Sequence, residues 1–188
     1  MKLRLLLLLA GAVVGAIGGM AVLRQKDSAA QLQHVPRAPI VIDGPNEWQH
    51  ASRTGAFVGP DGRPARPFSE ARFAWGEGKL YALLYAADED IRSDSDVFHL
   101  ELAGHAFDVS PLGSSVASAH DVDGTIDDPK DDDEEWVIEM AIPLAALGIE
   151  QKAGALIPFS VKRCDTPKRS SRSSGLACGE SNGVLVLE

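Results

Sequence analysis

Carboxylates gather where apolar runs of this chain stop and start. Asp88, Glu89 and Asp90 follow the apolar run 80–87, and Asp96 opens the next one. Calcium takes six to eight oxygens from carboxylates and carbonyls, so Asp88, Asp90 and Asp96 are candidate ligands if those run ends meet. Asp121 and Asp123 precede Gly124, and seven carboxylates fall between 127 and 135. These do not match an EF-hand loop, which carries a third acidic or amide residue before its glycine. An acidic run by itself is more often a solvated loop. A second group is His99 with Asp108 and Glu101. If 97–102 and 105–109 pair through a two-residue turn, His99 lies across from Asp108 with Glu101 on the same face. Such a pair can orient a metal ligand or raise an imidazole pKa, yet it is commonly an ordinary cross-strand contact. No serine or cysteine sits in a nucleophile elbow, so no catalytic residue is assigned and no enzyme is expected.

These residues need elements to hold them, and the chain supplies short alternating runs separated by turn residues. Residues 39–43 read as a strand, turned by Gly44 and Pro45. Ala71, Phe73 and Trp75 alternate with Arg72 and Ala74, and Gly76-Glu77-Gly78 ends that run. The run 80–87 is apolar on both faces, so it is expected to be a central strand. In the hairpin, Leu100 faces Phe107 and Phe98 faces Val109, and the alternation agrees in both halves. Trp136, Ile138, Met140 and Ile142 share a face, Pro143 stops the run, and 144–148 reads as a helical turn ending at Gly148. Residues 157–163 and 183–187 supply the last two strands. The expected fold is all-β, an antiparallel jelly-roll or immunoglobulin-like sandwich over 38–188, after a linker at 27–37.

Location and charge follow from the first residues. Lys2 and Arg4 precede an uncharged run at 5–23, and 19 residues at helical rise span roughly 28 Å, about the thickness of a bilayer core. The segment 1–26 is therefore expected to be a signal peptide or a membrane anchor. Gly11, Gly15 and Gly19 form a flat stripe that would admit a partner membrane helix. Both readings export the rest, either anchored on the periplasmic side of the inner membrane or secreted. Cys164 and Cys178 agree, since in an oxidising compartment they would close a loop of about 15 residues, worth about 3 kcal/mol. Lys168, Arg169 and Arg172 between them, beside Lys162 and Arg163, form a basic spot. The chain carries 18 Lys and Arg against 27 Asp and Glu, and none of the acids falls in 1–26. The exported part is thus strongly acidic, the wrong sign for a nucleic-acid binder.

Four motifs in order resemble the family 9 carbohydrate-binding modules and their wider sandwich superfamily. They are Ile42-Asp43-Gly44 with Trp48 and Ala51; Ala74-Trp75 with Leu80-Tyr81; Asp88-Glu89-Asp90-Ile91 before Asp96-Val97; and the run from Trp136 to Leu144 with Leu147-Gly148 after it. The resemblance implies two antiparallel sheets, export and attachment to sugar chains, and some members of the family bind calcium structurally. Trp48, Trp75 and Trp136 fall at its structural positions and are expected in or near the core. A sugar platform must then come from elsewhere, because glycan sites stack apolar sugar faces on aromatic rings. Tyr81 and Tyr85, roughly 13 Å apart on one strand face, with Arg72 on the neighbouring strand, are the candidate ligand-binding residues. The function expected is a non-catalytic module for a polysaccharide or oligosaccharide. One alternative is an accessory subunit of an anchored envelope complex, using the sandwich as a scaffold without a sugar. Another is a b-type haem domain, with Met140 facing His99, His105 or His120.

Overall fold

The computed structural model describes residues 31–38, 40–43, 45–165 and 177–188. The segment 1–26, the glycine stripe and the basic residues 168–172 lie outside them. Among the described residues, eleven strands form two sheets. The larger contains β1 (Leu32–Val35), β5 (Val97–Leu102), β6 (His105–Ser110), β7 (Gly113–Ser114), β10 (Leu156–Asp165) and β11 (Ala177–Leu187), in the order β1-β11-β10-β5-β6-β7. The smaller contains β2 (Ser52–Arg53), β3 (Ser69–Gly76), β4 (Lys79–Ala87), β8 (Ala117–Asp123) and β9 (Glu135–Pro143), in the order β2-β3-β4-β9-β8. Every pair is antiparallel except β1 with β11, which run parallel at the sheet edge. The expected all-β sandwich is the observed one.

Alternation explains the core. Leu80, Ala82, Leu84 and Ala86 of β4 and Trp136, Ile138, Met140 and Ile142 of β9 point inward against Phe98, Leu100 and Leu102 of β5 and Ile157, Phe159 and Val161 of β10. Phe73 tilts onto Phe159 at 5.3 Å and Phe98 onto Trp136 at 5.0 Å, a ring seam between the sheets. The hairpin register is as read from the sequence: Phe98 opposite Val109, His99 opposite Asp108, Leu100 opposite Phe107. β4 is central, paired with β3 and β9. Leu144–Leu147 forms a 3-10 turn closed by Gly148 at φ 67°, as expected for a left-handed cap.

Two expectations are corrected. Residues 40–43 do not form a strand; with the 3-10 turn Pro45–His50 they cross the outer face of the smaller sheet. Ile40 and Trp48 bury there against Ala74, Tyr81, Leu83, Val137 and Ala141, and Trp48 Nε1 donates to Glu139 Oε1 at 3.0 Å. That cover is why β4 is apolar on both faces. The stretch 27–37 is not linker throughout, because 32–35 pairs with β11. Its polarity misled: only Gln33 and Val35 turn inward, and Leu32 and His34 face out.

Candidate functional site

The outer face of the smaller sheet is half sealed and half open. Tyr81 lies under the sealed half and is 2% exposed, so as a sugar platform it is corrected: the Trp48 segment already occupies its ring. Tyr85, two pleats along the strand, is half-buried at the edge of that cover and packs against it. Register sets Glu70 beside it on β3 and Val137 on β9. Its ring meets Phe68 edge-on at 5.8 Å, and its hydroxyl donates to Glu135. Burial first, then Glu135 and Glu70, push the phenol pKa up to about 12. The hydroxyl is therefore a neutral donor at any physiological pH. Arg72 donates from Nε to Glu70 Oε1 at 2.6 Å, two residues along β3 from the Glu70–Tyr85 row. Phe68 is 41% exposed, the one aromatic among the described residues with more than a third of its surface free. The arrangement joins an exposed ring edge to a phenol, the half-buried Glu135 carboxylate and the Arg72 guanidinium, which is held by the buried Glu70. Sequence reasoning placed Tyr85 and Arg72 here and missed Phe68, Glu70 and Glu135. Phe68 precedes its strand, so no alternation pointed to it; Glu70 and Glu135 share the outward phase of Arg72 and Val137.

The acidic candidates converge differently from expectation. Asp88 leaves β4, Asp96 precedes β5 and Asp165 ends β10, and their carboxylate oxygens lie within 4.8 Å of one another. Asp90 stays outside. At their centre sits the Arg163 guanidinium, 2% exposed. Its Nη2 donates to Asp88, to Asp165 Oδ1 at 3.1 Å and lies 3.5 Å from Asp96 Oδ1. Nη1 donates to the Ala87 carbonyl at 3.3 Å, and the group stacks over Trp136 at 5.9 Å. A guanidinium therefore takes the cation's place, and the only polar atom of the arginine left without a partner is a donor, Nε. The three carboxylates are thus counter-charges of Arg163, and Asp90 is not among them. The clue was periodic: Ile157, Phe159 and Val161 point inward, and the same phase carries Arg163 and Asp165 into the core rather than the basic surface spot.

Three buried carboxylates against one arginine hold excess negative charge. Burial and then Asp88 push Asp96 up to about 7; burial leads at Asp165, pushed up to about 6 against the opposing pull of Arg163. The acidic run is partly internal as well. Asp133 accepts from the Ile91 amide at 2.7 Å and the Thr125 amide at 2.8 Å, joining the loops 88–96 and 124–134. Asp127 likewise accepts from the Ser93 amide and hydroxyl.

The remaining candidates are placed plainly. Cys164 and Cys178 are bonded across β10 and β11, as expected. His99 bonds Asp108 at 2.7 Å on the exposed outer face of the larger sheet. Met140 is fully buried between the sheets, whereas His99, His105 and His120 are exposed, so no histidine faces it. Trp48, Trp75 and Trp136 are all buried. Among the described residues, no helix is long and apolar enough to cross a membrane.

Among solved structures, the chain is similar to a family 9 carbohydrate-binding module from Caldicellulosiruptor kristjanssonii in complex with cellotriose. The TM-score is 0.56 at 13% identity, covering 84% of this chain and 94% of that one. A family 9 module from the same organism in complex with glucose gives 0.57 at 12% identity, covering 84% and 96%. A candidate carbohydrate-binding protein from Bacteroides uniformis gives 0.54 at 10% identity, covering 85% and 100%. No family model and no curated protein matches the sequence. The fold is thus a family 9-like sandwich.

Proposed function

We propose that this chain is an exported, non-catalytic module that holds a neutral glycan at Phe68 and Tyr85, on the open half of the smaller sheet. The observation that carries the reading is the coincidence of the one well-exposed aromatic with Tyr85, Glu70, Arg72 and Glu135. Apolar sugar faces gain by desolvation against a ring, and hydroxyls need fixed donors and acceptors around it. The acidic surface favours neutral over anionic polysaccharides. Fold likeness to sugar-binding modules supports the class, and the disulfide supports export because such bonds persist in oxidising compartments. The test is retention on insoluble glucans and a panel of neutral oligosaccharides. Phe68→Ala is expected to weaken binding several-fold to about tenfold with an unchanged melting midpoint. If the parent retains nothing, or Phe68→Ala binds as well as the parent, the patch is not a glycan site.

A second reading, an accessory scaffold of an envelope complex, is favoured by the burial of all three tryptophans and Tyr81. That burial reduces the aromatic platform to a single pair. Binding of no sugar by an intact, folded parent would select this reading.

A further inference from the structure

The outer face of the larger sheet is graded along its strands. Register places Leu32 beside Val184 and Val184 beside Pro158, with Val186 beside Leu156 in the next row, where exposed His34, paired with Glu188, closes the β1 side. Leu32 is 60% and Leu156 57% exposed, Pro158 is exposed, and both valines are half-buried. One row along the strands come Ser160 and Asn182, then Lys162 and Glu180, then the disulfide. The sandwich itself gives no reason for five apolar side chains to face out together at one end of a strand pair. Two valines and a leucine in a β-sheet face are ordinary; a contiguous cluster beside the point of chain entry marks a contact surface.

We propose that this patch is a lipid seat: the Leu32–Leu156 end of the larger sheet's outer face meets the bilayer in which the apolar run 5–23 is held, with the strands standing away from it. The inference rests on retention of that run as an anchor and is independent of the glycan reading. Three observations favour a bilayer over other occupants. The described chain enters β1 at Leu32, nine residues after Leu23. At full extension those residues reach about 32 Å, so a retained anchor keeps the patch close to the headgroups. Arg24 and Lys26 precede it, placing cations at the lipid surface. Finally, β10 runs ten residues from Leu156 in the patch to Asp165 in the carboxylate cluster, about 30 Å at strand rise. That is three or more Debye lengths at physiological salt. Seating the patch therefore holds the acidic loops where an anionic surface no longer repels them. A patch this small would not bind lipid alone, but a short tether raises its effective concentration to the millimolar range, so weak affinity is enough.

The test uses the full-length protein in phosphatidylcholine vesicles, with and without lipid spin-labelled near the top of the acyl chain. Tryptophan reporters are placed by Leu156→Trp in the patch and Asp128→Trp in the acidic loop, against a parent whose three tryptophans are buried. Leu156→Trp is expected to lose at least half of its added emission to the spin label, and Asp128→Trp to lose none. Equal quenching of the two, in protein that floats with the vesicles, overturns the seat and leaves the anchor standing. Protein that does not float with vesicles removes the anchor and the seat with it. A dimer mass in detergent that Leu156→Asp abolishes assigns the face to a second copy and also overturns the proposal.

Discussion

The two ends of the sandwich are closed by different physics. At one end the strands reverse through two-residue turns: Glu77 and Gly78 join β3 to β4, Ala103 and Gly104 join β5 to β6, and all four have positive φ. Backbone geometry alone closes these turns, and the charged groups nearby, such as Lys152 with Glu150, are exposed. At the other end the loops 88–96 and 124–134 are long and acidic, and side chains hold them. Asp133 spans both, Asp127 caps Ser93, and Arg163 gathers Asp88, Asp96 and Asp165 beneath them. The difference teaches that the acidic loops owe their shape to buried charge, and so depend on pH, whereas the turn end does not.

The largest expected effect breaks the charged end. Arg163→Met removes the only cation among three buried carboxylates and should cost about 3–5 kcal/mol near pH 8, read by urea unfolding. The loss should shrink near pH 5, where Asp96 and Asp165 hold protons; an equal loss at both pH values would show that packing on Trp136, not charge, is what the arginine supplies. Asp133→Ala comes next. It strips the acceptor from two buried or half-buried amides and should cost about 2–3 kcal/mol, with faster amide exchange at Ile91 and Thr125 and none at Leu102.

How much of this was legible in the sequence follows the same division. Alternation in 97–109 named faces, partner and register, and alternation in 136–142 named the inward face, because a period of two leaves no freedom once one face is buried. The turn end was readable for the same reason. The cover over Tyr81 was not: Ile40 and Trp48 cross the strands without pairing, and nothing in a strand's own pattern says what lies on its outer side. Tyr81 and Tyr85 share a phase and meet opposite fates. The acidic end was half legible, since Asp88 and Asp96 were placed together but the arginine between them comes from β10, some 70 residues later in the chain. Long-range convergence of charge leaves no local spacing to read.

The pH dependence sharpens the comparison further. Asp96 and Asp165 are held above the ordinary carboxylate pKa of about 3.9 by burial, at about 7 and about 6. The folded state therefore binds protons more tightly than the unfolded chain between those limits. Their contribution is most favourable below the unfolded pKa and is lost as pH rises through 6 and 7. The melting midpoint of the parent relative to Asp96→Asn should fall by roughly 5 °C between pH 5 and pH 8, because the amide cannot ionise and still accepts from the Arg92 amide. A constant difference between the two proteins would place the ionised Asp96 at no disadvantage.

The smallest effect belongs to the turn end and has the opposite sign. Ala103 occupies φ 50° at the first position of its turn, with Gly104 at φ 82°. A residue with a Cβ is strained there by roughly 1–2 kcal/mol, and glycine is not, although glycine gives up about 0.5–1 kcal/mol in chain entropy. Ala103→Gly should therefore stabilise the fold by about 0.5 kcal/mol. Ala103 is only partly buried, and its side chain packs on the core edge, which trims the gain but does not reverse it. Because no charge is involved, the increment should be the same at pH 5 and pH 8, where the acidic-end variants diverge. A gain that changed with pH would mean that the two ends are coupled through the strands, and the separate physics assigned to them would be wrong.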